Sequence, residues 1–285
     1  MRLVIVSGLS GSGKSVALHT LEDLGYYCID NLPIGLLEPF AQQLLDSPSP
    51  NPDNAAVGID ARNQSTELQH FPQIVRRLRE RGIHCEIVYL QADDETLLKR
   101  FSETRRKHPL SGPDVPLADA IRQERSLLEP ISANASLHID TTHTHIHQLR
   151  DLVQERVAGK TTGTLSLLFK SFGFKHGVPE DADFVFDVRC LPNPHWDARL
   201  RPQTGLDADV VEYLDAQPMV DTMFDSIHDF LDTWIPYFER ENRSYLTVAL
   251  GCTGGQHRSV YLARRLGEHF RARHPSVLVR HRELS

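Results

Sequence analysis

Short apolar runs alternate with amphipathic stretches along most of the chain. Residues 2–7, 26–30, 55–60, 84–90 and 137–140 are apolar runs of strand length, rich in Val, Ile, Leu and Tyr. Between them, helical periodicity covers residues 16–24, 33–45, 67–81, 95–105 and 117–131, and a further helix runs to about Val157. Strands alternating with helices predict a parallel sheet covered on both faces. A proline- and serine-rich stretch at 47–52 predicts an exposed loop, and Gly159-Lys160-Thr161-Thr162-Gly163-Thr164 interrupts the pattern as a linker does. The pattern then restarts. Residues 165–169, 184–188, 245–251 and 277–279 read as strands, and 220–238 and 259–270 as helices. The expected organisation is a first α/β domain over 1–158, a linker over 159–163 and a second, smaller α/β domain over 164–285.

Composition narrows the class. A chain of 285 residues has room for two domains, and 40% hydrophobic content supports two cores. The net charge of −7 excludes a globally basic nucleic-acid binder, so any such function must be local. Cys28, Cys85, Cys190 and Cys252 are widely spaced, which fits reduced thiols better than a disulfide framework. The apolar start is broken by Ser7 and Gly8, so it reads as neither signal peptide nor anchor. No run approaches 18 apolar residues, and a soluble, cytoplasmic protein is expected.

The first strand leads into Gly8-Leu9-Ser10-Gly11-Ser12-Gly13-Lys14-Ser15, and a helix follows. This is G-x-x-x-x-G-K-[ST] in the strand–loop–helix context it requires. Its glycines let successive N–H groups converge on an anion, and the helix N-terminus adds its positive dipole end. Lys14 supplies a point charge between β- and γ-phosphates, and the Ser15 hydroxyl is suited to Mg2+. A nucleoside triphosphate with Mg2+ is the expected ligand. Asp30 and Asp60 close apolar runs on the sheet edge that carries this loop, where α/β ligands bind. One of them is expected to orient the metal or its water shell; the alternative for each is a turn or helix cap. Arg105-Arg106 with His108-Pro109 follows a helix, as lid arginines do in small kinases, or is a solvated helix end. The guanine signature N-K-x-D and the switch D-x-x-G are absent from the sequence, so ATP and GTP both stay open.

The second domain repeats the strand–loop–helix arrangement at Gly251-Cys252-Thr253-Gly254-Gly255-Gln256-His257-Arg258-Ser259. A second anion site is expected there. Cys252 and Arg258 also have the C-x-x-x-x-x-R spacing of cysteine-dependent phosphatases, although Gly251 stands where those enzymes carry histidine. A purely structural turn is the third option. His143, His145 and His147, with His138 nearby, lack the fixed geometry of a zinc site and read as solvated surface. From Arg258 onward, Arg258, Arg264, Arg265, Arg271, Arg273, Arg280 and Arg282 face only Glu268 and Glu283 in number. Such a patch suits an RNA backbone, or is a solvated helix and tail.

Together these residues resemble the RapZ family of bacterial nucleotide-binding proteins, the RNase adapters. The resemblance rests on the Walker loop, Asp30-Asn31-Leu32-Pro33, Asp60-Ala61-Arg62-Asn63 and Arg105-Arg106-Lys107-His108-Pro109-Leu110. It continues through Ser171-Phe172-Gly173-Phe174-Lys175-His176-Gly177, Asp187-Val188-Arg189 and Leu191-Pro192-Asn193-Pro194-His195-Trp196. Thr204-Gly205 and the Gly251–Ser259 loop complete it, so nearly the whole chain is covered. The resemblance implies a P-loop kinase-like domain that binds ATP at the Walker loop, with slow ATP and GTP hydrolysis. It marks Asp60-Ala61-Arg62-Asn63 as a GTP site, although four residues after a strand do not build a guanine pocket and fit the same nucleotide site equally. It implies a second domain resembling a sugar-phosphate-binding fold, which binds small regulatory RNA, presents it to an endoribonuclease and senses glucosamine-6-phosphate. Cys252, Thr253, Gly254, Gly255, His257, Arg258 and Ser259, with His195, Arg189 and Lys175, form the expected phosphate pocket. Homo-oligomers are implied too. One departure is that no lysine follows Lys175, where enterobacterial members have a lysine-rich tail; RNA binding here would rest on arginines. A small-molecule kinase and a phosphatase acting through Cys252 are the competing readings.

Overall fold

The structure is a computed structural model that describes residues 1–46, 54–63, 65–158, 165–241 and 243–284. The expected loop at 47–52 and the expected linker at 159–163 lie outside those residues. The chain divides into two compact units, Met1–Gly159 and Lys160–Ser285.

In the first unit, β1 (Arg2–Gly8), β2 (Tyr27–Ile29), β3 (Asn54–Gly58), β4 (His84–Gln91) and β5 (Leu137–Asp140) form one sheet in the order β2-β3-β1-β4-β5. All its pairings are parallel. Strand β1 is fully buried, which explains why its apolar run shows no alternation. Leu3, Ile5, Val57, Ile87, Phe71, Val75 and Leu78 belong to the core on one face. The first helix, α1 (Lys14–Asp23), follows the Walker loop directly.

Two predicted helices are broken, each at a proline. The stretch 67–81 divides into α3 (Ser65–Gln69) and α4 (Phe71–Glu80), and 117–131 into α6 (Leu117–Leu127) and α7 (Glu129–Ser132). Pro72 and Pro130 each stand in a first helical turn, where the missing N–H costs nothing; further inside they would clash with the preceding turn. The 33–45 stretch opens as a 3-10 turn, Ile34–Leu36, before α2 (Leu37–Asp46). Helices α5 (Asp94–Thr104) and α8 (Ile146–Val153) complete the unit, and α8 runs on into a π-helical turn.

In the second unit, β6 (Ser166–Gly173), β7 (Phe184–Asp187), β8 (Tyr245–Cys252) and β9 (Val277–His281) form a parallel sheet in the order β7-β8-β6-β9. Helices α10 (Pro218–Arg240) and α11 (Arg258–Arg271) bury Ile227, Leu231, Ile235, Leu262, Leu266 and Phe270 with Leu167, Phe169, Val248 and Leu250 of the sheet. A further helix, α9 (Ala208–Asp215), is absent from the periodicity reading because its eight residues are too few to establish a period. Among the described residues no helix is long and apolar enough to cross a membrane.

Candidate functional site

The Walker loop closes the carboxyl end of β1, the middle strand of its sheet. Gly8, Gly11 and Gly13 have φ of 142°, 87° and 105°, a region that side chains strain to reach. At Gly8 a Cβ would also lie 2.0 Å from the Leu90 carbonyl oxygen, so β4 and the loop touch backbone to backbone. Lys14 folds back over the loop, and its Nζ donates to the Gly8 carbonyl at 2.7 Å. Ser15 is exposed at the start of α1. The buried hydroxyls of Ser7 and Ser12 have no hydrogen-bond partner.

Three side chains from other elements hold the loop, and none was legible from the motif. Glu124 of α6 accepts from the Ser10 amide and the Ser10 hydroxyl, both at 2.7 Å. His108 Nε2 lies 3.1 Å from the same carboxylate, and both side chains are fully buried. Arg100 of α5 donates to the Gly11 carbonyl at 3.0 Å and to the Thr141 carbonyl at 2.6 Å. The Thr141 hydroxyl donates to the Ser12 carbonyl at 3.0 Å. Arg105 and Arg106, read as lid arginines, are both exposed, and Arg105 ends α5 with a left-handed φ of 52°.

The acids lie just beyond their strands rather than within them. Asp30 follows β2 and Asp60 is two residues past β3. Asp60 is buried, and Arg62 donates to it through its amide at 2.9 Å and through Nε and NH2. Asn63 is spent inside the fold: its Oδ1 accepts from the Ile34 amide at 2.7 Å, and its Nδ2 donates to the Asp60 carbonyl at 3.2 Å. Ala61 is buried. Of the four residues, Arg62 presents an exposed side chain, 52% accessible. Burial lowers the Lys14 ammonium below its ordinary range, against the opposing pull of Glu124, Asp60 and Asp30. Burial would raise the Asp60 carboxyl, but the Arg62 hydrogen bonds and the Lys14 charge outweigh it. Three carboxylates, those of Glu124, Asp60 and Asp30, thus act on Lys14.

In the second unit, the loop between β8 and α11 wraps around one sulfur atom. Cys252 Sγ accepts from the Gly255 amide at 3.2 Å and lies 3.1 Å from Ser259 Oγ. Burial would raise this thiol, yet the hydrogen bonds from Ser259 and from the Gly255 and His257 amides hold it below its ordinary value. Arg258 is 4% exposed. Its NH1 donates to the carbonyls of Arg189 and Leu191 at 2.8 and 2.9 Å, its NH2 reaches Thr253 Oγ1 at 3.5 Å, and its buried Nε has no partner. A Cβ at Gly254 would stand 3.9 Å from Lys175 Nζ. The His195 ring lies 6.3 Å from that of His257, a buried, neutral-leaning histidine whose Nε2 meets the Leu200 carbonyl. Arg189 joins through its carbonyl alone; its guanidinium pairs with Asp187 at 2.6 Å and lies over Phe174. Gly251 has a packing cause, since a Cβ there would fall 2.5 Å from the rings of Phe172 and Phe174.

Most of the carboxy-terminal arginines are balanced in place. Arg265 pairs with Asp221 and Arg273 with Asp232, both at 2.7 Å, and Arg264 lies 3.8 Å from Glu268. Arg282 pairs with Glu283 and donates to the carbonyls of Gly173, His176 and Gly177. Arg280 is also engaged, and Arg271 is exposed. His143, His145 and His147 lie between β5 and the first turn of α8, where the His145 amide donates to Gln148. Among the described residues no three His, Cys, Asp or Glu side chains are grouped to hold a metal ion.

Comparison with known proteins identifies the chain's relatives. A family model described as the RapZ-like N-terminal domain matches residues 1–161, and one described as the RapZ C-terminal domain matches residues 165–285. A nucleotide-binding protein of Methylococcus capsulatus is 61% identical over 284 residues, covering 100% of this chain and 96% of its own. A nucleotide-binding protein of Thioalkalivibrio sulfidiphilus is 59% identical over 286 residues, with 100% of both chains covered. Among solved structures, shikimate kinase from Bacteroides thetaiotaomicron is 15% identical with a TM-score of 0.37, covering 54% of this chain and 94% of its own. At that score the likeness carries no functional argument.

Proposed function

The chain belongs to the RapZ family, and on that premise we propose that it is a nucleotide-binding regulator of RNA. The Walker loop takes ATP or GTP with Mg2+. Lys14 spans the β- and γ-phosphates, the Ser15 hydroxyl holds the cation, and the loop amides cradle the oxygens. Asp60 serves the metal's water shell, because its strand pairs directly with β1 while Asp30 stands one strand further out. Asp60-Ala61-Arg62-Asn63 serves this same site rather than a separate GTP pocket, since Asn63 is engaged internally and Ala61 is buried. When bound, Mg2+ neutralises charge on the phosphate oxygens; hydrolysis of either nucleotide is slow.

The Cys252–Ser259 loop, with Lys175 and His195 at its rim, takes the phosphate of a sugar phosphate such as glucosamine-6-phosphate. RNA binds through arginines of the same unit, in a cytoplasmic homo-oligomer that presents a small regulatory RNA to an endoribonuclease. The observation that carries the reading is the glycine cradle with Lys14 folded over it. The test is fluorescence anisotropy of structured small RNAs with the full chain, across a salt series, with and without MgATP and glucosamine-6-phosphate. Salt-sensitive binding that responds to either ligand is expected; absence of binding at low salt would contradict the RNA role.

A second reading has its own observation, the Cys252 thiol held low by the loop. It makes Cys252 a phosphatase nucleophile. Loss of phosphate-ester hydrolysis in Cys252→Ser is its requirement, and turnover surviving that change would end it.

A further inference from the structure

We propose that the first unit carries a phosphoryl-acceptor subsite, formed by Asp30 and Arg62 beside the Walker loop. Its ligand is a small hydroxylated compound that bears a carboxylate or phosphate. The proposal rests on the reading of the Walker loop as a nucleoside triphosphate site.

Topology assigns the direction. On the β4–β5 flank the loop is closed, because Arg100 and Thr141 bond the carbonyls of Gly11 and Ser12. Glu124 closes it at Ser10. The other flank is formed by the ends of β3 and β2, and there the chain places Asp60, Arg62 and Asp30. Asp30 and Asp60 both act electrostatically on Lys14, and Asp30 also acts on Arg62. These groups therefore stand at the ends of adjacent strands on one flank of the Walker loop.

Asp30 is held in place by its backbone. Asn31 takes a left-handed φ of 51°, and the Leu32 amide then donates to the Gly58 carbonyl at 2.8 Å. A Cβ at Gly58 would fall 2.7 Å from Asp30 Oδ1, so glycine there leaves room for the carboxylate. Asp30 itself is exposed and makes no hydrogen bond with the side chains described around it. Arg62 is oriented by Asp60 through Nε and NH2, which leaves NH1 for a ligand. A half-exposed guanidinium fixed in this way favours an anionic group on the acceptor.

The chemistry balances without a further reactant. The acceptor hydroxyl oxygen forms a bond to the γ-phosphorus. The bond from that phosphorus to the β–γ bridging oxygen breaks, and the nucleoside diphosphate leaves with the electron pair. The hydroxyl proton passes to the Asp30 carboxylate.

The experiment incubates the full chain with Mg2+ and γ-labelled ATP, and with D-gluconate, shikimate or glucosamine-6-phosphate as anionic probes. Glycerol and glucose are the uncharged controls. Label is expected in at least one anionic probe and in neither control. Asp30→Asn is expected to lower kcat of transfer by about a hundredfold or more while probe KM changes little. Arg62→Lys is expected to raise probe KM about tenfold with kcat little changed. If calorimetry shows ATP bound while label reaches no anionic probe, the subsite is overturned and the nucleotide reading stands. If ATP does not bind, the nucleotide reading itself has failed. Transfer by Asp30→Asn at the unaltered rate would overturn the role given to Asp30.

Discussion

Glu124 reaches Ser10 across 114 positions of sequence and accepts from both its amide and its hydroxyl. Burial alone would raise this carboxyl, but the His108 hydrogen bond, the Lys14 charge and the Ser10 hydrogen bonds outweigh it and hold it low. The Walker loop is therefore fastened to α6 through a buried, charged residue.

Removing the carboxylate leaves His108 and two Ser10 donors without their partner. Glu124→Ala is expected to destabilise the first unit by about 3 kcal/mol. Its sign with pH follows from a depressed folded value. The stabilisation is present above the ordinary carboxyl value of 4.5 and is lost as pH falls through the lower folded value. Urea unfolding of both proteins at neutral and acidic pH checks this: the gap between them narrows in acid.

His281 carries a second pH dependence. Burial and the nearby Arg264 charge push it down to about 4, against 6.5 for a free histidine. The unfolded chain binds the proton more readily between those values, so stability rises with pH across that window. The full effect is about 3 kcal/mol. His281→Asn is expected to flatten the slope of stability between pH 4 and 6.5 in part, since His257 and His269 are also lowered. An unchanged slope would remove His281 from the explanation.

The ion pairs Arg265–Asp221 and Arg273–Asp232 hold back charge that an RNA backbone would use. Asp221→Asn with Asp232→Asn frees both arginines. RNA affinity is expected to rise, and the slope of log K against log salt to steepen by about one to two units. Anisotropy across a salt series measures it; an unaltered slope would place the RNA contact elsewhere.

Much of the architecture was legible because local signals carried it. The Gly8–Ser15 motif fixed the loop between a strand and a helix, and the apolar runs located the strands on either side. Helix boundaries were less legible. Pro72 and Pro130 restart helices whose periodicity runs straight through them, and the periodicity alone does not weigh a missing N–H. Glu124, Arg100 and Thr141 were not legible, because each reaches the loop from an element distant in sequence. The carboxy-terminal arginines read as a free patch for a related reason. Their partners, Asp221 and Asp232, lie on α10, and composition does not pair residues across helices. In the second unit the loop was legible, but its convergence on Cys252 Sγ depends on backbone geometry that spacing does not reveal.

The most direct test of the central claim is calorimetric titration of MgATP into the full chain and into Lys14→Ala. The cradle needs the lysine charge to hold the β- and γ-phosphates, so saturable binding to the unaltered chain and an affinity loss of about a hundredfold or more in the variant are expected. Equal affinity in the two proteins would mean that the nucleotide does not bind where the glycines and Lys14 converge, and the account of this site would be wrong.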